Sequence, residues 1–243
     1  AHEAVGTGED VGSITVAQVA VVGGGAAGLM AAISAAQDGR SVVLLEGNQR
    51  LGRKILISGN GRCNLTNEDA DALEHYHGTY PDFIGAVLER HTVADTLGFF
   101  ADMGLECKTG TLGRLFPVTD QASSVLNLLE DRLTALGVQI VTDAKIAALR
   151  IGERFELETK GGRVWNAERV VLATGGVSVP KLGADSSGME MAVDLGHIQT
   201  PLYPGLVPLC GGDKSIRSMH GAKVWATLSV TAPTGEVHED EGD

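Results

Sequence analysis

Gly23, Gly25 and Gly28 stand in the spacing GxGxxG, directly after the apolar, β-branched run Thr15–Val22 and directly before the Ala-rich run Ala26–Gln37. A glycine turn between a buried strand and a helix suits a phosphate-bearing ligand. The first glycine permits the tight turn, the second lets a pyrophosphate approach the backbone, and the third lets helix and strand pack closely. The helix N-terminus, opened by Ala26 and Ala27, then faces the anion. Glu46 ends the next apolar run, 23 positions after Gly23, and Gly47 follows it. A carboxylate there can accept from both ribose hydroxyls and repels a 2'-phosphate. Together these residues predict an adenine dinucleotide site.

Which dinucleotide binds depends on what else the chain carries. A short-chain NAD dehydrogenase needs Tyr four positions before Lys, but Tyr76, Tyr80 and Tyr203 are followed at that spacing by Tyr80, Ile84 and Val207. That reading loses its acid and base. FAD is favoured by a meander of short strands between the third and fourth parallel strands, and by the strand ending Ala173-Thr174-Gly175, both features of flavoproteins of the glutathione-reductase type. Thr174, Gly175 and Gly176 bring backbone close to the cofactor, and Ala144 follows the third strand. Cys63 has no neighbouring cysteine, which argues against a dithiol centre. Neither GxSxG nor a P-loop occurs.

The elements that must position these groups follow from periodicity. Thr15–Val22, Ala26–Gln37 with a left-handed Gly39 at its end, and Ser41–Leu45 make a βαβ unit. The segment 47–67 reads as a long polar loop. Helices are expected over Pro81–Arg90 and Thr92–Asp102, the latter opened by the capping pair Thr92 and Asp95. Asp120–Leu136 is amphipathic, with Val125, Leu128, Leu129, Leu133 and Leu136 in a stripe that should face the sheet. Val138–Val141 is a third parallel strand. Short antiparallel strands follow over 146–151, 154–159 and 163–166, and Arg169–Ala173 is a fourth, buried strand.

Composition narrows the class. With 19 Lys and Arg against 31 Asp and Glu, the net charge is -12, which argues against nucleic acid as a partner. No apolar run approaches the roughly 20 residues of a membrane span. Three cysteines, Cys63, Cys107 and Cys210, form neither a disulfide framework nor a zinc pattern and fit a reducing cytoplasm. His75 and His77 lack a third ligand, so no metal is expected, and His197 reads as a helix cap. Residues 1–14 read as a flexible leader. Pro201, Pro204 and Pro208 mark a boundary after about Ile198 into a β-rich region, so the domains expected are 15–198 and 199–243.

Four stretches make the chain resemble the BaiN-like flavoproteins, also called the aminoacetone oxidase family: Val21–Ala32, Gly52–Asn67 (GRKILISGNGRCNLTN), Gly113–Leu126 and Leu172–His197. The resemblance implies an α/β fold: a Rossmann-type FAD domain of the glutathione-reductase kind with a β-meander, followed by the start of an inserted β-rich domain in which this sequence ends. It puts Arg53 and Lys54 in a loop along the flavin and pyrophosphate. Arg62, Cys63, Asn64 and Asn67 belong to the same loop, either to shape it or to face the ring. The activity implied is an FAD-dependent oxidoreductase passing a hydride through flavin to a small-molecule substrate. Reduction of a conjugated double bond driven by transiently docked NAD(P)H is preferred. Amine oxidation and a non-catalytic FAD-binding module are the alternatives, and neither catalytic side chain nor oligomeric state is specified.

Overall fold

The computed structural model describes residues 15–205 and 225–242. The expected leader, residues 1–14, lies outside them. Strand β1 (Thr15–Val22) sends Val19 and Val21 into one apolar cluster and Ala17, Ala20 and Val22 into another. β2 (Val42–Leu45) divides in the same way, with all four residues buried. Strands without a polar face need cover on both sides, the situation inside a parallel sheet.

That sheet has six strands in the order β6-β2-β1-β9-β8-β7. β6 (Gln139–Val141) runs parallel to β2, and β1 runs parallel to both β2 and β9 (Val164–Leu172). β7 (Ile146–Ile151) and β8 (Phe155–Thr159) continue it antiparallel. In chain order the parallel part reads third, second, first, fourth strand. This is the Rossmann arrangement, and its switch point lies between β1 and β9.

β9 corrects the sequence reading. The strands expected over 163–166 and 169–173 are one continuous strand, antiparallel to β8 through Val164–Ala167 and parallel to β1 through Trp165–Leu172. The polar stretch Asn166–Arg169 resembles a break, but its residues sit on a sheet surface that leaves Glu168 and Arg169 exposed. The expected burial of the strand's end is also only partial, since Val171 is 37% exposed.

Helix α1 (Ala26–Gln37) ends as expected on Gly39, φ 76°: the Gly39 N–H donates to Ala36 O and the Arg40 N–H to Ala35 O. These are the two bonds of a Schellman cap. The segment 47–67 is less irregular than expected, because α2 (Arg53–Ile57) forms within it. β3 (Thr66–Asn67), β4 (Cys107–Thr109) and β5 (Arg114–Pro117) form a small antiparallel sheet that the sequence reading did not foresee. Between β3 and β4 lie α3 (Pro81–Leu88) and α4 (Val93–Asp102). The Thr92 hydroxyl accepts from the Asp95 N–H while the Thr92 N–H donates to the Asp95 carboxylate, the expected capping box.

α5 (Ala122–Ala135) buries Ala122, Val125, Leu126, Leu129 and Leu133 beside Val19, Val21 and Leu29 of β1 and α1. The stripe is rotated slightly from the one expected: Leu126 is fully buried, while Leu128 and Leu136 only border the core. On the opposite sheet face, Met191 of α6 (Ser187–Asp194) joins Leu149, Leu157 and Trp165 of the meander. The chain divides between Gln199 and Thr200 into two compact units. In the C-terminal unit, β10 (Ala226–Thr231) and β11 (Val237–Gly242) form an antiparallel hairpin closed by Gly235, φ 86°.

Candidate functional site

The glycine turn sits where β1 and β9 end side by side. The Gly23 N–H donates to Leu45 O and the Ala173 N–H to Val22 O, both at 2.8 Å. Gly23 has φ 105°, and a Cβ there would lie 2.5 Å from Ala173 O. A Cβ on Gly28 would lie 1.8 Å from Gly23 O, so this residue serves the close packing of helix on turn. Gly25 is different: a Cβ there meets nothing within 4 Å. Two glycines are required by protein packing, and the middle one faces space into which a ligand can come. α1 begins there with exposed Ala26 and Ala27, with no side-chain cap and no acid in its first turn, leaving its N–H groups to an anion.

Glu46, 8% exposed, is held at the end of β2 by hydrogen bonds to its carboxylate. The Gly24 N–H donates to Oε2 at 2.6 Å, and the Asn48 N–H and Nδ2 donate to Oε1 at 2.8 and 2.6 Å. A carboxylate has about four acceptor positions, so three are filled by the protein and about one stays open. Gly24 and Asn48 escaped the sequence reading because Gly24 is not one of the three motif glycines and asparagine is an ordinary residue of turns.

These groups line one cavity of about 850 Å³. Of the residues singled out from the sequence, Gly23, Gly25, Ala26, Ala27, Glu46, Gly47, Arg53, Lys54, Asn64, Ala144, Thr174 and Gly175 all line it. Lys54 Nζ lies 3.4 Å from where a Cβ on Gly175 would be, and the ammonium makes no hydrogen bond or ion pair among the described residues. Arg53 donates to Asn48 Oδ1 at 2.7 Å and to Lys181 O at 3.4 Å. Another part of the wall is apolar, with Met30, Leu65, Phe99, Phe100 and Leu129.

Four expected residues, Gly28, Arg62, Asn67 and Gly176, do not line the cavity. Gly28 is consumed by helix packing, and Gly176 lies toward Met189 of α6. Arg62 turns outward, with its guanidinium 4.3 Å from the centre of the Phe116 ring and its Nε donating to Gly59 O. It shapes the loop. Asn67 does likewise, donating to Leu112 O at 2.7 Å and accepting from the Asp69 N–H. Cys63 does line the cavity, but burial pushes its thiol pKa up, against only a lowering hydrogen bond from Ser58. That is the opposite of an activated nucleophile. His197 contributes its backbone N–H, donated to Ala192 O at 3.0 Å, to the cap of α6.

Sequence reasoning also missed Lys145, Asp185 and Ser187 on the cavity wall. Lys145 Nζ meets Asp185 Oδ2 at 2.6 Å and Ser187 Oγ at 2.9 Å, joining residues 40 and 42 positions apart. The Lys145 ammonium and then the Ser187 hydroxyl hold the Asp185 carboxyl down at about 2. Among the described residues, no cluster of three or more His, Cys, Asp or Glu could hold a metal, and no helix is long and apolar enough to cross a membrane.

The family model described as the HI0933-like protein Rossmann domain matches residues 17–232. A 3-dehydro-bile acid delta(4,6)-reductase of Clostridium scindens is 39% identical over 93% of this chain and 55% of its own length. A ribosomal RNA dihydrouridine synthase of Haemophilus influenzae is 31% identical over 86% of this chain and 53% of its own. The chain thus spans about half the length of the curated relatives it matches. Among solved structures, the 3-ketosteroid-delta4-(5alpha)-dehydrogenase of Rhodococcus jostii RHA1 aligns with TM-score 0.59 at 18% identity, over 76% of this chain and 55% of that one. A flavocytochrome c3 fumarate reductase aligns with TM-score 0.56 at 20% identity, over 76% and 41%. A glycine turn at the switch point, an acid at the end of β2, and a family match over nearly the whole described chain lead to one assignment: this chain belongs to the HI0933-like Rossmann-domain family, with the Rossmann-type FAD-binding fold.

Proposed function

We propose that this chain provides the FAD site of a reductase acting on a carbon–carbon double bond conjugated to a carbonyl. The single observation that carries the cofactor assignment is the turn itself, where an added Cβ on Gly25 would enter open cavity while Glu46 is locked beside it. Gly25 and the first N–H groups of α1 would hold the pyrophosphate, Glu46 would take a ribose hydroxyl, and Ala144, on the same cavity wall, would contact the cofactor. Lys54 lies against Gly175 where β9 ends, and its ammonium balances negative charge on the flavin end. Bound FAD supplies a two-electron carrier that a transiently docked NAD(P)H can recharge. Residues 15–198 form the cofactor domain, and the hairpin of β10 and β11 belongs to a separate, second domain. Cys63 and Cys107 are free thiols, and the cytoplasm is the compartment proposed.

The reaction class comes from the relatives. A delta(4,6)-reductase of 3-dehydro-bile acids saturates double bonds conjugated to a 3-oxo group, and a dihydrouridine synthase saturates the uracil double bond conjugated to a carbonyl. The chemistry is shared although the substrates differ in size and charge. A net charge of -12 favours the small apolar substrate over RNA for this chain, because phosphate contacts need clustered cations. The apolar wall at Phe99 and Phe100 supports the same choice.

The test is anaerobic. FAD-loaded protein with NADH or NADPH is mixed with a 3-oxo-4,6-diene steroid or with unmodified ribosomal RNA, and enone absorbance and dihydrouridine content are followed. The proposal expects loss of the enone band. Dihydrouridine formation with no enone loss would transfer the reading to RNA, and reduction of neither would overturn it.

A further inference from the structure

Glu46 and Arg53 carry opposite charges on one short segment, yet they do not meet directly, because Asn48 stands between them. Its backbone N–H and Nδ2 both donate to Glu46 Oε1, and its Oδ1 accepts from the Arg53 guanidinium at 2.7 Å. Its carbonyl accepts from the Asp143 N–H at 3.1 Å. Gly183 closes the far side of the amide, where a Cβ would come within 2.7 Å of Oδ1. All of Asn48's hydrogen-bonding groups are therefore engaged. An amide can donate to a carboxylate and accept from a guanidinium at the same time; a carboxylate only accepts and an ammonium only donates.

We infer that Asn48 is a positioning residue of the cofactor site. It holds Glu46 toward the glycine turn and Arg53 toward Lys181, and it keeps the two charges from closing on each other. Glu46 Oε2 stays on the Gly24 N–H, fixing the turn, and the carboxylate retains acceptor capacity for a ligand. Arg53 uses only part of its five-donor fork on Asn48 Oδ1 and Lys181 O, so the remainder can face an anion. Without the amide, the guanidinium is released to pair with Glu46, and both groups are withdrawn from the ligand. The inference rests on the FAD reading for its ligand, but the arrangement it describes is a property of the protein alone.

The test uses the 243-residue chain with Asn48→Ala, Asn48→Asp, Arg53→Met and the double substitution Asn48→Ala/Arg53→Met. FAD affinity is read by flavin fluorescence, and exchange of the Gly24 amide proton is read without ligand. Asn48→Ala should weaken FAD by about tenfold, the size of one lost charge-assisted bond. Arg53→Met should then add little to it, because Arg53 is already misplaced. Asn48→Asp puts another carboxylate against Glu46 and should release Gly24, speeding its exchange by about tenfold or more while the core of β1 stays protected. The inference is overturned if the Ala and Met effects multiply to within about twofold, or if Gly24 exchange is unchanged in Asn48→Asp. Should the parent chain take up no FAD, the cofactor reading falls and the exchange measurement alone decides the role of Asn48.

Discussion

At the scale of single residues, the three motif glycines separate into two kinds, and the separation makes a prediction. Gly25 is the N-cap of α1 in extended backbone, φ -83° and ψ -175°, with open space beside it. Serine is a better N-cap than most residues and suits that backbone, so Gly25→Ser should hold or raise the thermal midpoint, within about 0.5 kcal/mol. Its side chain would enter the ligand's space and weaken FAD. Gly28→Ser should instead destabilise the fold, since its Cβ would lie 1.8 Å from Gly23 O. Paired thermal melts and FAD titrations check both. Asp185 gives a pH prediction. Its folded value, about 2, is below its ordinary 3.8, so its contribution is complete above the ordinary value and is lost as pH falls through about 2. The carboxylate is half exposed and screened, so Asp185→Asn should cost only ~0.2–1 kcal/mol near neutral pH. The gap to the parent should narrow as melts are repeated toward pH 2. Glycines and Glu46 were legible because spacing along one chain carries their meaning. Asn48 was not, because its partners lie close by on a turn where asparagine is ordinary, and the Lys145–Asp185–Ser187 cluster was not, because its partners are set by how β7 and α6 come together.

At the scale of elements, strands buried on both faces and helices with caps announced themselves. β1 and α1 have the bounds expected, and the Thr92–Asp95 box is present with both reciprocal bonds. Thr92→Ala should cost about 1 kcal/mol through loss of that cap, measured by denaturant unfolding. Leu133 on α5 is fully buried against the first cluster, and Leu133→Ala should cost ~2–5 kcal/mol, the range for a buried leucine. Equal effects of the two substitutions would contradict the packing described. The misses were of another kind. β9 was divided at Asn166–Arg169 because polar residues signal a turn only when no neighbouring strand pairs with them, and β1 pairs with Asn166, Ala167 and Arg169 there. β3, β4 and β5 are two to four residues long, too short for alternation to rise above composition.

At the scale of the molecule, the chain order of the sheet brings the ends of β1, β2 and β9 to one crevice, and twelve of the residues named from the sequence gather there although they span Gly23 to Gly175. The central claim is that this crevice reads the adenosine and pyrophosphate of FAD. The most direct measurement compares the affinity of the chain for FAD with that for flavin mononucleotide, which has the same ring but lacks the adenylate half. The account predicts that FAD binds, that it binds more tightly than the mononucleotide by at least about a hundredfold, the worth of two charge-assisted contacts, and that Gly25→Ser removes most of the difference. Equal affinity for the two flavins, or an FAD affinity indifferent to Gly25→Ser, would contradict it.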